Sequence, residues 1–519
     1  MTWLFYTAIV FYLFSITLFQ FTDKIKLSLL FLFLGSLFYA VYVCHLDHFL
    51  YFWDEEFHAL VAKHLMKHPL TPMLYTHPVF DVNYKRWDIN QLWLHKQPLF
   101  MWEIAISMKI FGVNQLAVRL PSAIMFAILV IPIYRMGKIA LNKTVGYYSA
   151  LFFSLSYFLH ELATGFFATD HNDFAFMFYI TCSFWAFIEY ENSKNRKWLI
   201  LIGVFSGCAI LVKWLVGLLV YAGWGVSVLL NKEKRKSIKS YLNVGISLLF
   251  TAIVALPWQI FTWIRYPTES WYEYSYARSH FTKALDGHDG DSLYQFNAMN
   301  ELYGHGQNDS VKSPYIPCIV ITLIGLLILR IKKNTIRTCL IFSLLLVYSF
   351  YTYAETKMLG YCLIICFIGF LSIGSAIEYS FSFIRKKFLI NKIIFSSITT
   401  LLLLFACYEF MGFDLIKHNH IDSLNDKGSF QYITTEDTKY MKLVGEKLKS
   451  KDYVVFNWRT RECIAAMFYG DYTAYDSIPN EEKFLKLKAQ NVKMAFNDNG
   501  QLPEYIKKDT TVIKIKSPF

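Results

Sequence analysis

Charged side chains set in or beside long apolar runs are the residues of this 519-residue chain best placed to do chemistry. Charge is costly in such surroundings, so each is a candidate for function. They are Asp54, Glu55 and Glu56 directly after Trp53; Lys96; Asp170 and Asp173; Lys213; and Glu355 with Lys357. Carboxylates mixed with lysines suit a phosphorylated substrate. The cations hold the phosphate, and a carboxylate accepts a proton or orients the attacking group. A plainer account stands beside this one: acidic residues at span ends are often interfacial, and a lysine there reaches out to water. The histidines between 45 and 95 raise metal binding, because His64 and His68 are four apart and could share one helix face. Ordinary interfacial histidines are the simpler reading.

The elements that must position these groups are membrane spans. The chain is 55% apolar and 17% charged, against about a quarter charged in soluble domains. Residues 27–43, 238–261, 315–329, 339–353 and 397–410 are nearly uncharged. Runs of roughly 17–25 such residues match a hydrocarbon core about 30 Å thick. A soluble helix would keep one face polar; these do not. The net charge of +12 lies largely in short loops between apolar runs, which is an orientation signal rather than a nucleic-acid footprint. The nine cysteines, Cys182, Cys208, Cys362 and Cys366 among them, show no metal-ligand spacing. The first run, 3–18, lacks a preceding basic residue and a small-residue cleavage site, so it is expected to be a retained span.

Six basic connections, at 24–26, 135–143, 194–197, 232–239, 330–337 and 385–392, are expected on the cytoplasmic side. The runs between them then pair into about a dozen spans, giving a polytopic α-helical membrane protein. A multi-span catalytic domain over 1–411 would carry outer loops at 45–118 and 265–313. The stretch 98–111 is too short to span and suits a helix lying in the interface plane. The tail, 412–519, has strand-like runs at 452–458, 492–496 and 511–516, and helical periodicity at 435–449 and 480–490. It is expected to form a small extracytoplasmic α/β domain.

A series of short motifs then falls into order: Trp53-Asp-Glu55, Lys96-Gln-Pro-Leu99 with Trp102, Phe111-Gly112, Arg119-Leu-Pro-Ser122, Ala168-Thr-Asp170, Leu211-Val-Lys213, Leu256-Pro-Trp258, Ser279-His-Phe281, and Glu355-Thr-Lys357 with Tyr361. In order, spacing and outward placement they resemble the C-type membrane glycosyltransferases that use a polyprenyl-phosphate sugar. This is the family-39-like branch of lipid A aminoarabinose transferases and protein O-mannosyltransferases, and the resemblance covers nearly the whole chain. It implies that Asp54 is the catalytic aspartate, with Glu55 beside it and Asp170 as the second acidic position. It implies donor-phosphate contacts for Lys96, Lys213, Lys283, Lys357 and Tyr361. His95 and His280 are the positions at which a divalent metal is conceivable; no cofactor is otherwise implied. Gln97 stands where the family has a proline, His95 where some members have glutamate, and Phe57-His58 where Arg-Tyr is common. These departures fall in the donor and metal environment and leave the sugar and the metal open. The tail resembles the small outer domain of the aminoarabinose transferases.

The reaction so implied is inverting glycosyl transfer at the outer face of the inner (plasma) membrane. Its partners are a polyprenyl-phosphate-linked sugar, a lipid A, protein or glycan acceptor, and the membrane lipids, with no nucleic acid. The sequence has no glycine-rich phosphate loop that would argue for a nucleotide donor. A transporter or lipid flippase is the rival of another class. Such proteins often carry two similar halves with matching broken helices, and this chain shows no such halves. A surface-polysaccharide polymerase or ligase is the rival among enzymes.

Overall fold

A computed structural model describes residues 2–167, 171–304, 314–389, 391–448, 452–459 and 462–516. Asp170 lies outside the described residues. The chain is mostly helical, and eight helical stretches among the described residues are long and apolar enough to cross a membrane. They are Thr2–Phe21, Ile25–Cys44, Gln115–Ala140, Arg196–Leu230, Ile238–Arg265, Asn334–Tyr353, Leu359–Phe388 and Lys392–Asn425. The protein is therefore a polytopic membrane protein, and beside these eight stand segments that are broken, shorter or more charged. Residues 198–212 and 214–230, expected as separate spans, form one broken stretch: helix Arg196–Lys213, a 3-10 turn at Trp214–Leu218 and helix Leu219–Leu230. Trp214 sits at φ +62° at the break. Tyr315–Arg330 has 16 residues, about 24 Å of helix. His171–Ser193 is long enough but carries Asp173, Glu189 and Glu191, and is buried along most of its length.

Two compact units divide the chain, each built from three separate stretches. The first takes in Met1–His45, Lys96–Phe100 and Arg119–Lys417. Its helices are of two kinds. Leu359–Phe388 is 78% buried over its apolar window, whereas Thr2–Phe21 and Ile238–Arg265 are 22% buried. The latter leave Leu248, Ile253, Leu256 and Ile260 exposed, which suits contact with acyl chains rather than with water. Helices in hydrocarbon gain little from hiding apolar surface from one another, so close backbone approach and internal hydrogen bonds must join them. Gly203 and Gly207, four apart, provide the approach. A Cβ on Gly207 would lie 2.6 Å from that of Val254, and one on Gly203 would meet the Ser247 carbonyl. Hydrogen bonds follow from that closeness: Tyr221 Oη lies 2.7 Å from Ser247 Oγ and 2.8 Å from Thr251 Oγ1, and Thr251 donates to the Gly203 carbonyl at 3.1 Å. Elsewhere in this unit Arg135 grips Glu189 through both carboxylate oxygens, at 2.5 and 2.8 Å.

The second unit comprises Leu46–His95, Met101–Val118 and His418–Phe519. Its sheet is parallel, four-stranded and ordered β2-β1-β3-β4, with β1 Tyr453–Phe456, β2 Thr473–Ala474, β3 Lys493–Asp498 and β4 Ile513–Lys516. Parallel neighbours need crossovers, and helices Glu462–Gly470 and Glu481–Ala489 occupy two of them. The strands near 452, 492 and 511 appear where the sequence places them. The two-residue β2 and helix Glu462–Gly470 are additions. The unit is larger than the tail alone, because the first loop packs with it. Lys63, on helix Asp54–Leu65, donates to the carbonyls of Met467 and Phe468 at 3.0 and 2.6 Å and pairs with Asp471. Burial, with Glu462 and Glu55 nearby, holds the Glu56 carboxyl well above the usual carboxylate range, and its Oε2 has no hydrogen-bond partner.

Two expectations follow from these contacts. Gly207→Leu should force helix Ile238–Arg265 away and destabilise the protein by on the order of 1–3 kcal/mol or more, read as a lower unfolding temperature in detergent, whereas Gly225→Leu, which meets nothing within 4 Å, should change it little. Glu56 binds its proton more tightly folded than unfolded, so its contribution is complete at acid pH and is lost as pH rises through the raised pKa. Glu56→Gln should therefore gain stability over the native chain as pH climbs from acid to neutral, by up to about 1.4 kcal/mol per pH unit in that window. Denaturation curves of the two proteins at acidic and neutral pH check the sign.

Candidate active site

In the first unit, the segment Lys96–Phe100 is fixed at two points. Gln97, 4% exposed, accepts a hydrogen bond from Gln259 Nε2 at 2.6 Å, which fastens it to helix Ile238–Arg265. Phe100 meets His171, the first residue of helix His171–Ser193, edge-on at 5.1 Å. Gln97 is one of the positions that depart from the resembled motif, and Gln259 supplies what its amide needs. Lys213 is the last residue of helix Arg196–Lys213, an end that favours a cation. Its ammonium pairs with Asp173, in the first turn of His171–Ser193. It also lies over the Tyr361 ring, 5.9 Å from the centroid. Tyr361 in turn stacks on Tyr351 at 4.3 Å, and Lys96 and Asp173 both lie within Coulombic reach of its hydroxyl. Two lysines, one carboxylate and one phenol thus converge from four separate stretches of sequence. The arrangement can bind an anion, with Asp173 holding Lys213 until one arrives.

The Glu355-Thr-Lys357 segment does different work. Lys357 is 5% exposed and donates to the carbonyls of Ala354, Thr352 and Tyr351 at 2.5, 2.6 and 3.4 Å. Those carbonyls end helix Asn334–Tyr353, so this lysine is a C-terminal cap that steadies the Tyr351 ring beneath Tyr361. Thr356 is fully buried and ties down the segment 280–285. Its backbone N–H donates to the His280 carbonyl at 3.1 Å, its hydroxyl donates to the Lys283 carbonyl at 2.8 Å, and it accepts from the Leu285 N–H at 3.2 Å. His280 Nδ1 lies 3.1 Å from the same hydroxyl. Lys283 is held by its backbone, and its side chain is exposed.

In the second unit, three carboxylates crowd the first turn of helix Asp54–Leu65, the end of a helix that suits negative charge. They point to different places. Glu55 is buried, and its Oε2 accepts from the Tyr51 N–H at 2.6 Å. Glu56 is buried as described, whereas Asp54 is partly exposed. The turn before them is strained, with Trp53 at φ +82°, a conformation a bulky residue adopts only when its surroundings impose it. Before the turn in sequence lies part of a network the sequence did not reveal. Tyr51 Oη donates to Asp47 Oδ2 at 2.7 Å, and the same carboxylate holds His420, with Asp47 and His420 fully buried. The signal was absent because 373 positions separate Asp47 from His420.

The metal question can be put to the residues directly. Among the described residues, no group of three or more His, Cys, Asp or Glu side chains is arranged to hold an ion. His95 stacks on Trp87 at 4.8 Å and faces the edge of Trp93, and His280 is engaged with Thr356. His64 holds the Met73 carbonyl through Nδ1 at 2.8 Å, and burial lowers its pKa to about 4. These residues do not fit a metal centre.

Residues 95–261 match the family model described as dolichyl-phosphate-mannose-protein mannosyltransferase. An uncharacterized protein of Aquifex aeolicus is 28% identical over 200 residues, which cover 38% of this chain and 36% of that protein; the match thus spans about a third of that relative. Among solved structures, ArnT from Cupriavidus metallidurans bound to undecaprenyl phosphate superposes with a TM-score of 0.60 at 12% identity, covering 89% of this chain and 88% of that one. The oligosaccharyltransferase AglB from Archaeoglobus fulgidus, in complex with an inhibitory peptide and a dolichol-phosphate, gives 0.52 at 10% identity, covering 86% and 64%. The resemblance carried by the motifs is thereby borne out: this is a polytopic membrane protein with the fold of the C-type glycosyltransferases, its 95–261 segment matching their mannosyltransferase family.

Proposed function

We propose that the chain is a glycosyltransferase that moves a sugar from a polyprenyl-phosphate carrier to an acceptor outside the cytoplasm, in the bacterial type of inner membrane. The observation that carries this reading is the convergence of Lys96, Lys213, Asp173 and Tyr361 within a unit built of apolar helices. A lipid phosphate brings an anion to such a place without crossing water. The undecaprenyl phosphate of the ArnT structure and the dolichol-phosphate of the AglB structure support that identity for the anion. Lys96 and Lys213 hold the phosphate, and Tyr361 donates a further hydrogen bond from a ring kept in place by Tyr351. Lys357 contributes through its cap on the helix beneath, and Lys283 through the backbone of its loop. Asp54 is the accessible member of its acidic turn and is assigned the acceptor. It orients the acceptor hydroxyl and takes its proton as the oxygen attacks the anomeric carbon. The bond from that carbon to the phosphate oxygen breaks on the opposite face, giving one inversion, and the lysines neutralise the departing phosphate. Glu55 keeps Asp54 in position through Tyr51, and Asp170 is retained as the second acidic group of the resembled motif.

Asp54→Asn is expected to reduce transfer roughly a hundredfold or more while membrane insertion and unfolding temperature stay near native. Transfer can be followed by mass spectrometry of surface glycans and lipid A, and native turnover in this variant removes the catalytic assignment. Lys213→Ala should weaken polyprenyl-phosphate binding by roughly ten- to a hundredfold, the loss of one charge-assisted contact of about 1.5–3 kcal/mol. Asp173→Asn, which releases Lys213 from its partner, should leave that affinity equal or higher. Titration of the purified protein in detergent separates the two, and unchanged affinity in Lys213→Ala would leave the phosphate without its best-placed cation.

A further inference from the structure

The second unit contains a cavity of about 340 Å³, at the lower end of small-molecule sites. First-loop residues from Phe57 to Ile89 and tail residues from Cys463 to Ser477 line it. Its floor is aromatic. Phe57 and Tyr75 are 1% and 2% exposed. The Tyr75 and Tyr475 rings lie parallel within 7°, with centroids 5.0 Å apart, and Phe80 stands edge-on to Tyr475 at 4.8 Å. The Tyr475 ring is locked, because its hydroxyl accepts the Val79 N–H at 3.0 Å.

The rim is acidic. Asp88 is occupied by Arg86, which donates to both its oxygens at 2.9 and 2.8 Å. Asp81 and Asp476 are exposed lining residues whose carboxylates have no hydrogen bond or ion pair among the described residues, with Arg86 within Coulombic reach of Asp476. Three carboxylates against one guanidinium, with the Lys483 ammonium 5.9 Å from the Phe80 ring centroid, leave the opening net acidic. An ionised carboxylate only accepts hydrogen bonds, so this rim selects for donors and repels phosphate. An aromatic floor offers a flat apolar surface to the C–H face of a pyranose, and attracts an ammonium through the ring quadrupole. The placement adds a reason. Phe57 is three residues after Asp54 on one helix, so floor and catalytic carboxylate are neighbours along one helical turn.

We propose that this cleft binds the acceptor, and that the acceptor presents there a non-phosphorylated saccharide carrying a protonated amine. The assignment rests on the glycosyltransferase reading for the word acceptor, but the saccharide site itself does not. A ring lies against Tyr475 and Phe80, its amine and hydroxyls donate to Asp81 and Asp476, and one hydroxyl is carried towards Asp54.

The test uses the full chain in detergent, titrated calorimetrically with a glucosamine tetrasaccharide, its N-acetylated form and glucose 1-phosphate, with polyprenyl phosphate run on the same preparation. The glucosamine oligomer should bind, the acetylated form roughly tenfold more weakly, and glucose 1-phosphate weakest. Asp81→Asn combined with Asp476→Asn, both at exposed positions, should weaken the glucosamine oligomer by roughly tenfold or more and leave polyprenyl-phosphate affinity unchanged. Absence of saccharide binding, a preference for glucose 1-phosphate, or full affinity in the double variant overturns the site. Equal affinity for the acetylated form overturns the part given to the amine. If the saccharide binds but polyprenyl phosphate does not, the transferase reading fails and the cleft stands.

Discussion

The pair formed by Lys213 and Asp173 sets the terms for the first unit. Each stands at the end of a helix that the surrounding apolar surface would otherwise not let carry a charge. Lys213 ends Arg196–Lys213, and Asp173 begins His171–Ser193. Bringing the two ends together neutralises both and fixes where those helices finish. The aromatic pair of Tyr351 and Tyr361 and the cap from Lys357 then pack against a point already determined. The convergence of Lys213, Asp173 and Tyr361 is thus tied to how this bundle neutralises its own charges.

The chemistry is divided by sign. The cations that suit a phosphate belong to the first unit, and the carboxylates Asp54, Glu55, Asp81 and Asp476 belong to the second. The short segment Lys96–Phe100 is the informative exception. It lies within the first loop, yet it belongs to the first unit while its neighbours on both sides belong to the second. Gln97 and Phe100 show why, since both are anchored on membrane helices.

Much of this was legible in advance because the signals are local. Uncharged runs announce spans, and short strand-like runs near 453, 493 and 513 announce strands. The ordered motifs brought Lys96, Lys213, Lys357 and Tyr361 to notice. Other features could not be read because their causes lie far apart in sequence. Nothing in Gln97 advertises Gln259, and nothing in Asp47 advertises His420. Lys357 shows a subtler limit: its residue type suggested a phosphate contact, and only geometry reveals that its protons are spent on a helix end. The shape of individual segments was hidden for a physical reason as well. Hydropathy measures what a segment would tolerate, and it does not register a turn such as that at Trp214 or the all-round burial of His171–Ser193.

The second unit is assembled from stretches that the ribosome delivers hundreds of residues apart. The chain passes between the two units at 45/46, 95/96, 100/101, 118/119 and 417/418, so neither is a cassette that can be cut out. Lys63 finds its carbonyl partners about four hundred positions later, at Met467 and Phe468. Contacts of such long sequence separation form late and slowly. Helix Asp54–Leu65 therefore gains the partners of Lys63 only once the chain has been made as far as Asp471. Synthesis order thereby becomes a condition on this unit: a chain that stops before Met467 leaves Lys63 without the carbonyls that hold it.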